Sequence, residues 1–244
     1  MPAAVNQTAP LQVDGNLSGL VRALWPPQCL VCSESGRADQ DLCRACGDAL
    51  RWNRSACLRC ALPLSQPAPA CGDCLQNNRK LGLTEIHAAC LYAFPVDRLL
   101  PRFKFHQDLA AGRLLAQLMM QAFGRLPRAD ALIPVPLHRS RLRSRGYDQA
   151  LELAKPLSRA FAMPLHGALL QRGRATAPQS RLDAGGRRRN LRGAFIVPDS
   201  SALPAHVVLI DDVMTTGATL QAAATALRRA GVQRVDAWVC ARAP

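Results

Sequence analysis

Aromatic side chains are scarce in this chain, at 5% of 244 residues. Few rings means few platforms for stacked bases, so sequence-specific readout of nucleic acid is not expected; Tyr147 and Trp238 are the candidate platforms. Lysine is nearly missing, with only Lys80, Lys104 and Lys155, and acidic residues number 17 against 31 basic ones. The net charge of +14 favours polyanionic partners: nucleic acid, phosphorylated metabolites or anionic lipid. No apolar run approaches the ~18–20 residues that cross a bilayer, so no stable membrane insertion is expected. Residues 1–16 lack a basic region followed by an apolar stretch and a cleavage site, which makes the cytoplasm the default compartment. Whole-chain disorder is excluded, because hydrophobic residues make up 49% and charged residues 20%.

Cysteine, by contrast, is abundant. Eight of the ten fall in four C-x-x-C pairs: Cys29/Cys32, Cys43/Cys46, Cys57/Cys60 and Cys71/Cys74. The pairs repeat with a period of 14 residues. A knuckle with two residues between thiolates lets both sulfurs reach one Zn²⁺ at about 2.3 Å, and two knuckles complete a tetrahedral shell. Eight thiolates therefore suit two zinc ions. Sequential pairing and a nested, cross-braced pairing satisfy the spacing equally. Each shell would be saturated by protein ligands, so the zinc is expected to be structural, with folding coupled to metal binding. A redox motif would be a single C-x-x-C at a helix start. Cys90 and Cys240 lie in apolar runs and read as small buried hydrophobes.

The remaining pattern divides the chain into a tail over residues 1–16, a short helix plus double zinc ribbon over 17–80, and a second domain over 81–244. Within 17–25, apolar residues recur at helical spacing up to Pro26-Pro27. After residue 81, strands alternate with helices. Strands are expected over 85–94, 131–137, 205–212 and 234–240. Helices are expected over 108–124, over 148–161 with Asp148 as cap and Pro156 as a kink, and over 217–230 ended by Gly231. Alternation of this kind predicts an α/β fold: a mostly parallel sheet with helices on both faces.

The sharpest chemical signal is VVLIDDVMTTGATL over residues 207–220. Four apolar residues form a buried strand, with Asp211 and Asp212 at its carboxyl end, where open α/β sheets bind ligands. The hydroxyl-rich loop after them can wrap an anion in backbone N–H groups, and the next helix adds its positive end. Two carboxylates beside a phosphate cradle suit a sugar phosphate, whose vicinal hydroxyls they accept. The segment resembles the phosphoribosyl pyrophosphate (PRPP) motif of type I phosphoribosyltransferases. The resemblance implies that Asp211 and Asp212 hold the ribose 2′- and 3′-hydroxyls, and that Thr215, Thr216, Gly217, Ala218 and Thr219 hold the 5′-phosphate.

Residues 125–192 carry fifteen Lys or Arg against four Asp or Glu, so most of the chain's surplus lies there. One cluster, Arg139, Arg141, Arg143 and Arg145, can bind pyrophosphate with its Mg²⁺ or a DNA backbone. A second, over 181–192 with Arg187 and Gly185-Gly186, reads as a flap that closes over the site. The segments VPLHRSRLRSRGYDQA over 135–150 and 172–195, the latter with Thr176, Gln179, Leu182, Arg187, Asn190 and Gly193-Ala194-Phe195, together with the cysteine ladder and Phe103-Lys104-Phe105-His106, resemble the ComF family, also called competence protein FC. That resemblance implies a zinc-binding cysteine module ahead of a type I phosphoribosyltransferase-like domain, with a role in DNA uptake during natural transformation. The chain departs from the family in carrying Asp148 where asparagine is usual, and in Pro156.

Two functions follow as expectations. One is a component of DNA import that binds PRPP, single-stranded DNA and DNA-uptake proteins. The alternative is a phosphoribosyltransferase that takes PRPP–Mg²⁺ and passes its sugar to an unidentified base or amine, unrelated to DNA.

Overall fold

The computed structural model describes residues 26–76, 82–173, 193–199 and 202–243. The expected tail, the helix over 17–25, Arg187 and the arginine-rich flap lie outside the described residues. Spatially the chain divides after Gly47. In the first region the only buried apolar side chains among the described residues are Cys29, Leu42, Cys43 and Cys46. Three thiols and one leucine make no hydrophobic core, so a metal must supply the stability of this region. It ends in a short helix, α1 (Arg44–Asp48).

From Asp48 onward the elements are α2 (Gly72–Gln76), β1 (Ile86–Leu91), α3 (Val96–Phe105), α4 (Leu109–Phe123), β2 (Ala131–Pro134), α5 (Arg139–Arg145), α6 (Gln149–Phe161), β3 (Gln171–Arg172), β4 (Phe195–Ile196), β5 (His206–Met214), α7 (Ala218–Ala230) and β6 (Arg234–Arg242). Four strands form a sheet in the order β1-β6-β5-β2, with every pair parallel. β3 and β4 form a separate antiparallel pair. The central strands read as continuous apolar runs because both sheet faces are covered. On one face α7 packs Leu220, Ala223, Ala224 and Leu227 against Val207, Leu209, Val235, Ala237 and Val239. On the other lie α4 and α6, whose Phe123 and Phe161 rings stand 5.1 and 5.7 Å from the indole of Trp238.

Trp238 is therefore core, at 2% exposure, and is not the base platform that its ring suggested. Cys90 and Cys240 are fully buried among apolar neighbours, as their sequence context implies.

Caps set the helix starts. Asp108 accepts from the Ala111 amide at 3.0 Å and Asp148 from the Leu151 amide at 3.2 Å, which satisfies donors that the first turn leaves unpaired. α6 runs from Gln149 to Phe161 with Pro156 inside it. α3 was not expected at all: Pro95 precedes it and Pro101 lies inside it. Its Phe103 is fully buried and packs over Gly112 of α4. A methyl at Gly112 would sit 2.4 Å from a Phe103 ring carbon. Gly112→Ala should therefore lower the unfolding free energy by about 1–3 kcal/mol in urea melts, against the roughly 1 kcal/mol that alanine normally adds to a helix.

Candidate functional site

β5 outruns its neighbour β2. Pro134, the last residue of β2, pairs with Ile210, and β5 continues alongside β6 to Met214. The strand ends two residues later than expected, where the Met214 carbonyl accepts from the Ala243 amide at 2.9 Å and from the Arg242 guanidinium at 3.5 Å. Asp211 and Asp212 thus stand in paired strand, just past the point where β2 stops. Successive strand residues point to opposite faces, so the two carboxylates diverge. Asp211 is half-buried and Asp212 is 8% exposed.

Asp212 is held by Lys104 at the end of α3, with Nζ 2.9 Å from Oδ1. Asp211 accepts from the Asp212 amide at 2.9 Å. Burial, then the charge of Asp212, pushes the Asp211 carboxyl up to about 8, with Lys104 pulling the other way and Asp148 adding to the rise. Asp148 is also raised, by burial and the charge of Asp212, although the Leu137 and Leu151 amides donate to it. Three carboxylates therefore share one neighbourhood. Such crowding is unfavourable for folding alone and is characteristic of a site that waits for a donor or cation.

The turn after β5 leaves Thr215 and Thr216 exposed and ends at Gly217. Gly217 adopts φ +73, and a Cβ there would lie 2.8 Å from Met214 Cε, so the position needs glycine on both counts. Gly217 caps the 13-residue α7 without a side-chain acceptor. The positive end of α7, from Ala218 through the half-buried Thr219, thus opens onto the threonine turn.

The arginines divide by helix geometry. α5 starts just after β2, and none of its residues is buried. Arg141 and Arg145 are one turn apart on its half-buried side, whereas Arg139 and Arg143 are exposed on another. Burial and the charge of Arg145 lower the proton affinity of Arg141. Arg172 of β3 is lowered by burial and by Arg141, and is raised by Asp211. Arg141, Arg172 and Asp211 are therefore electrostatic neighbours. Arg145 donates to Gln149 at 2.8 Å and lies 5.4 Å over the Phe105 ring, next to Lys104. The Tyr147 hydroxyl donates to the Phe103 carbonyl, which ties α3 to the segment after α5.

The cysteines form two separate quartets, Cys29/Cys32/Cys43/Cys46 and Cys57/Cys60/Cys71/Cys74. This is the sequential pairing. A tetrahedron with bonds of about 2.3 Å has edges of about 3.8 Å. The sulfurs of Cys32 stand 3.6 Å from Cys43 and 3.7 Å from Cys46; Cys57–Cys74 and Cys60–Cys71 measure 3.9 and 3.7 Å. The Cys46 and Cys71 amides donate to Cys43 and Cys57 sulfurs, as a thiolate shell requires. Both quartets fit zinc. The second is joined to the sheet: Arg242 Nε donates to the Cys60 carbonyl at 2.9 Å, the Ile86 amide to the Leu58 carbonyl at 2.7 Å, and Ala61 sits in the core under α7.

Residues 20–75 match the double zinc ribbon domain family and residues 148–244 the phosphoribosyl transferase domain family. Competence protein F of Haemophilus influenzae is 34% identical over 214 residues, 84% of this chain and 92% of its own length. The chain belongs to the competence protein F family. The DNA utilization protein YhgH of Salmonella typhi is 34% identical over 211 residues, covering 82% of this chain and 90% of that protein. Competence protein ComFC of Bacillus subtilis is 28% identical over 202 residues, covering 80% and 81%.

For this competence protein F relative, sequence reasoning missed Lys104 and Arg172 as parts of the site. Both lie in segments that carry the family resemblance, but neither was assigned a role in the site. No helix among the described residues is long and apolar enough to cross a membrane.

Two measurements check the site. Cys71→Ser should reduce bound zinc from two ions per chain to one and lower the thermal midpoint by more than about 5 °C, read by metal analysis and calorimetry. Asp211 binds its proton more tightly folded than unfolded, so its contribution to stability is lost as pH rises from about 4 through about 8. Asp211→Asn should therefore melt a few degrees above the parent at about pH 9, with the gap closing near pH 4.

Proposed function

We propose that this chain is a PRPP-binding protein of the DNA-uptake machinery that handles single-stranded DNA. The observation that carries the PRPP reading is the pairing of two opposed fields at one strand end. A half-buried carboxylate stands at Asp211 and a buried one at Asp212, and an uncapped helix start follows Gly217. Pentose hydroxyls need acceptors and a phosphate needs N–H donors, and the site offers both within seven residues.

In this reading Asp211 and Asp212 accept from the ribose 2′- and 3′-hydroxyls. Thr215, Thr216, Gly217, Ala218 and Thr219 surround the 5′-phosphate. Arg141, Arg145 and Arg172 face the pyrophosphate, with Arg139 and Arg143 further out. The Mg²⁺ that accompanies PRPP supplies neutralising charge to the diphosphate. Lys104 holds Asp212 oriented before binding, and then becomes a cation beside the anomeric centre.

The arginine side also favours the second reading, glycosyl transfer. There the bond from the anomeric carbon to the diphosphate oxygen breaks, and its electron pair leaves with diphosphate. The acceptor's lone pair forms the new bond through an oxocarbenium-like state that positioning and charge stabilise. Release of pyrophosphate from PRPP, assayed with candidate bases and amines, tests that reading. The DNA role is supported by the charge surplus and by relatives named competence protein F and DNA utilization protein.

Calorimetric titration of PRPP–Mg²⁺ tests the binding site. Asp212→Asn and Thr216→Ala should each weaken binding by about 10- to 100-fold, the worth of a charge-assisted hydrogen bond. Unchanged heats in both variants would end the PRPP reading.

A further inference from the structure

A second cavity lies elsewhere in the region after Gly47. It has a volume of about 700 Å³, and none of the residues assigned above to PRPP lines it. One wall comes from Trp52, Asn53 and Arg54, ahead of the second cysteine quartet. The floor includes His87 of β1, and the far wall carries Gln121 and Arg125 at the end of α4. The rest of the lining is mostly apolar, and no carboxylate lines it.

Its chemistry is mixed in a particular way. Arg54 and Arg125 are exposed. Neither makes a hydrogen bond or ion pair among the described residues. Trp52 is half-buried, and its backbone bridges to Cys90 of β1. Asn53 is also fixed: Nδ2 donates to the Ala61 carbonyl at 3.0 Å. Its Oδ1 is buried and has no hydrogen-bond partner among the described residues. A buried acceptor without a donor costs about 1–3 kcal/mol. His87 is engaged by Glu85 at 3.1 Å, and Arg234 takes the other oxygen of that carboxylate at 3.1 Å, so the nearby negative charge is already balanced.

A half-buried indole and two exposed guanidinium groups that make no ion pair among the described residues border a cavity of about 700 Å³, a combination that suits a stacked base with flanking phosphates. We propose that this groove binds single-stranded DNA, with a base against Trp52 and flanking phosphates at Arg54 and Arg125. The inference rests on the reading that this chain handles DNA. It assigns the stacking part of that binding to the zinc-ribbon side of β1, away from the Asp211 turn. Duplex DNA keeps its bases stacked inside and offers the groove no free ring, and an acidic peptide would meet the arginines without using Trp52 or Asn53.

The test uses the full zinc-loaded chain and a fluorescein-labelled oligothymidine, read by anisotropy over a salt series. Arg54→Glu/Arg125→Glu should weaken binding by at least about 30-fold and reduce the salt slope by about 2 phosphate contacts. Trp52→Leu should weaken it by about 10-fold. Both variants should retain two zinc ions and the parent's PRPP titration, which separates loss of the groove from loss of the fold. Wild-type affinity in both variants, with weakening confined to Arg139→Glu/Arg143→Glu, would overturn the groove assignment and leave the DNA role standing. A parent chain that fails to bind the oligonucleotide would end the DNA reading and this inference with it. Equal binding of a hairpin duplex, or equal competition by polyglutamate, would also overturn it, in favour of simple charge attraction.

Discussion

The site depends on an inequality of strand length. β2 stops at Pro134, while β5 runs on beside β6 to Met214. Proline has no backbone N–H to extend a ladder, so the shorter strand is fixed by its sequence. The overhang leaves the acidic pair flanked by sheet on one side and by space on the other. Into that space project the half-buried face of α5, Arg172 of β3 and Lys104 of α3. An equal strand in place of β2 would fill the position proposed for the pentose.

Charge is then distributed along a gradient. Three carboxylates crowd one end, and the start of α7 and the arginines occupy the other. Among the described residues Lys104 is the ion-pair partner of Asp212, and Asp211 holds its proton to about 8. This arrangement is poor for the stability of the empty fold and well matched to a ligand with hydroxyls at one end and phosphates at the other. The conflict between local stability and ligand complementarity is what distinguishes this strand end from the amino-terminal ends of the same sheet.

Much of this was legible in the sequence. The apolar run and paired acids located the site, Asp108 and Asp148 announced their helices, and Gly217 and Gly231 bracketed α7. What escaped has physical reasons. α3 carries Val96, Leu99, Leu100 and Phe103 at helical spacing, but Pro95 and Pro101 read as helix breakers, which hid the element and left Lys104 without an address. Alternating arginines looked like one cluster, but a period of 3.6 residues sends Arg139 and Arg143 to a different side from Arg141 and Arg145. Trp238 looked like a platform because strand sequence alone does not say which faces are covered. The even spacing of the cysteines fits either pairing, and only coordinates separate them.

One guanidinium joins two parts of the molecule that the sequence keeps far apart. Arg242 reaches the carbonyl of Cys60, inside the second metal knuckle, and the carbonyl of Met214, at the root of the threonine turn. Zinc starvation or thiol oxidation would therefore do more than unravel a peripheral ribbon. It would loosen the support of the turn itself, because the same guanidinium braces both carbonyls.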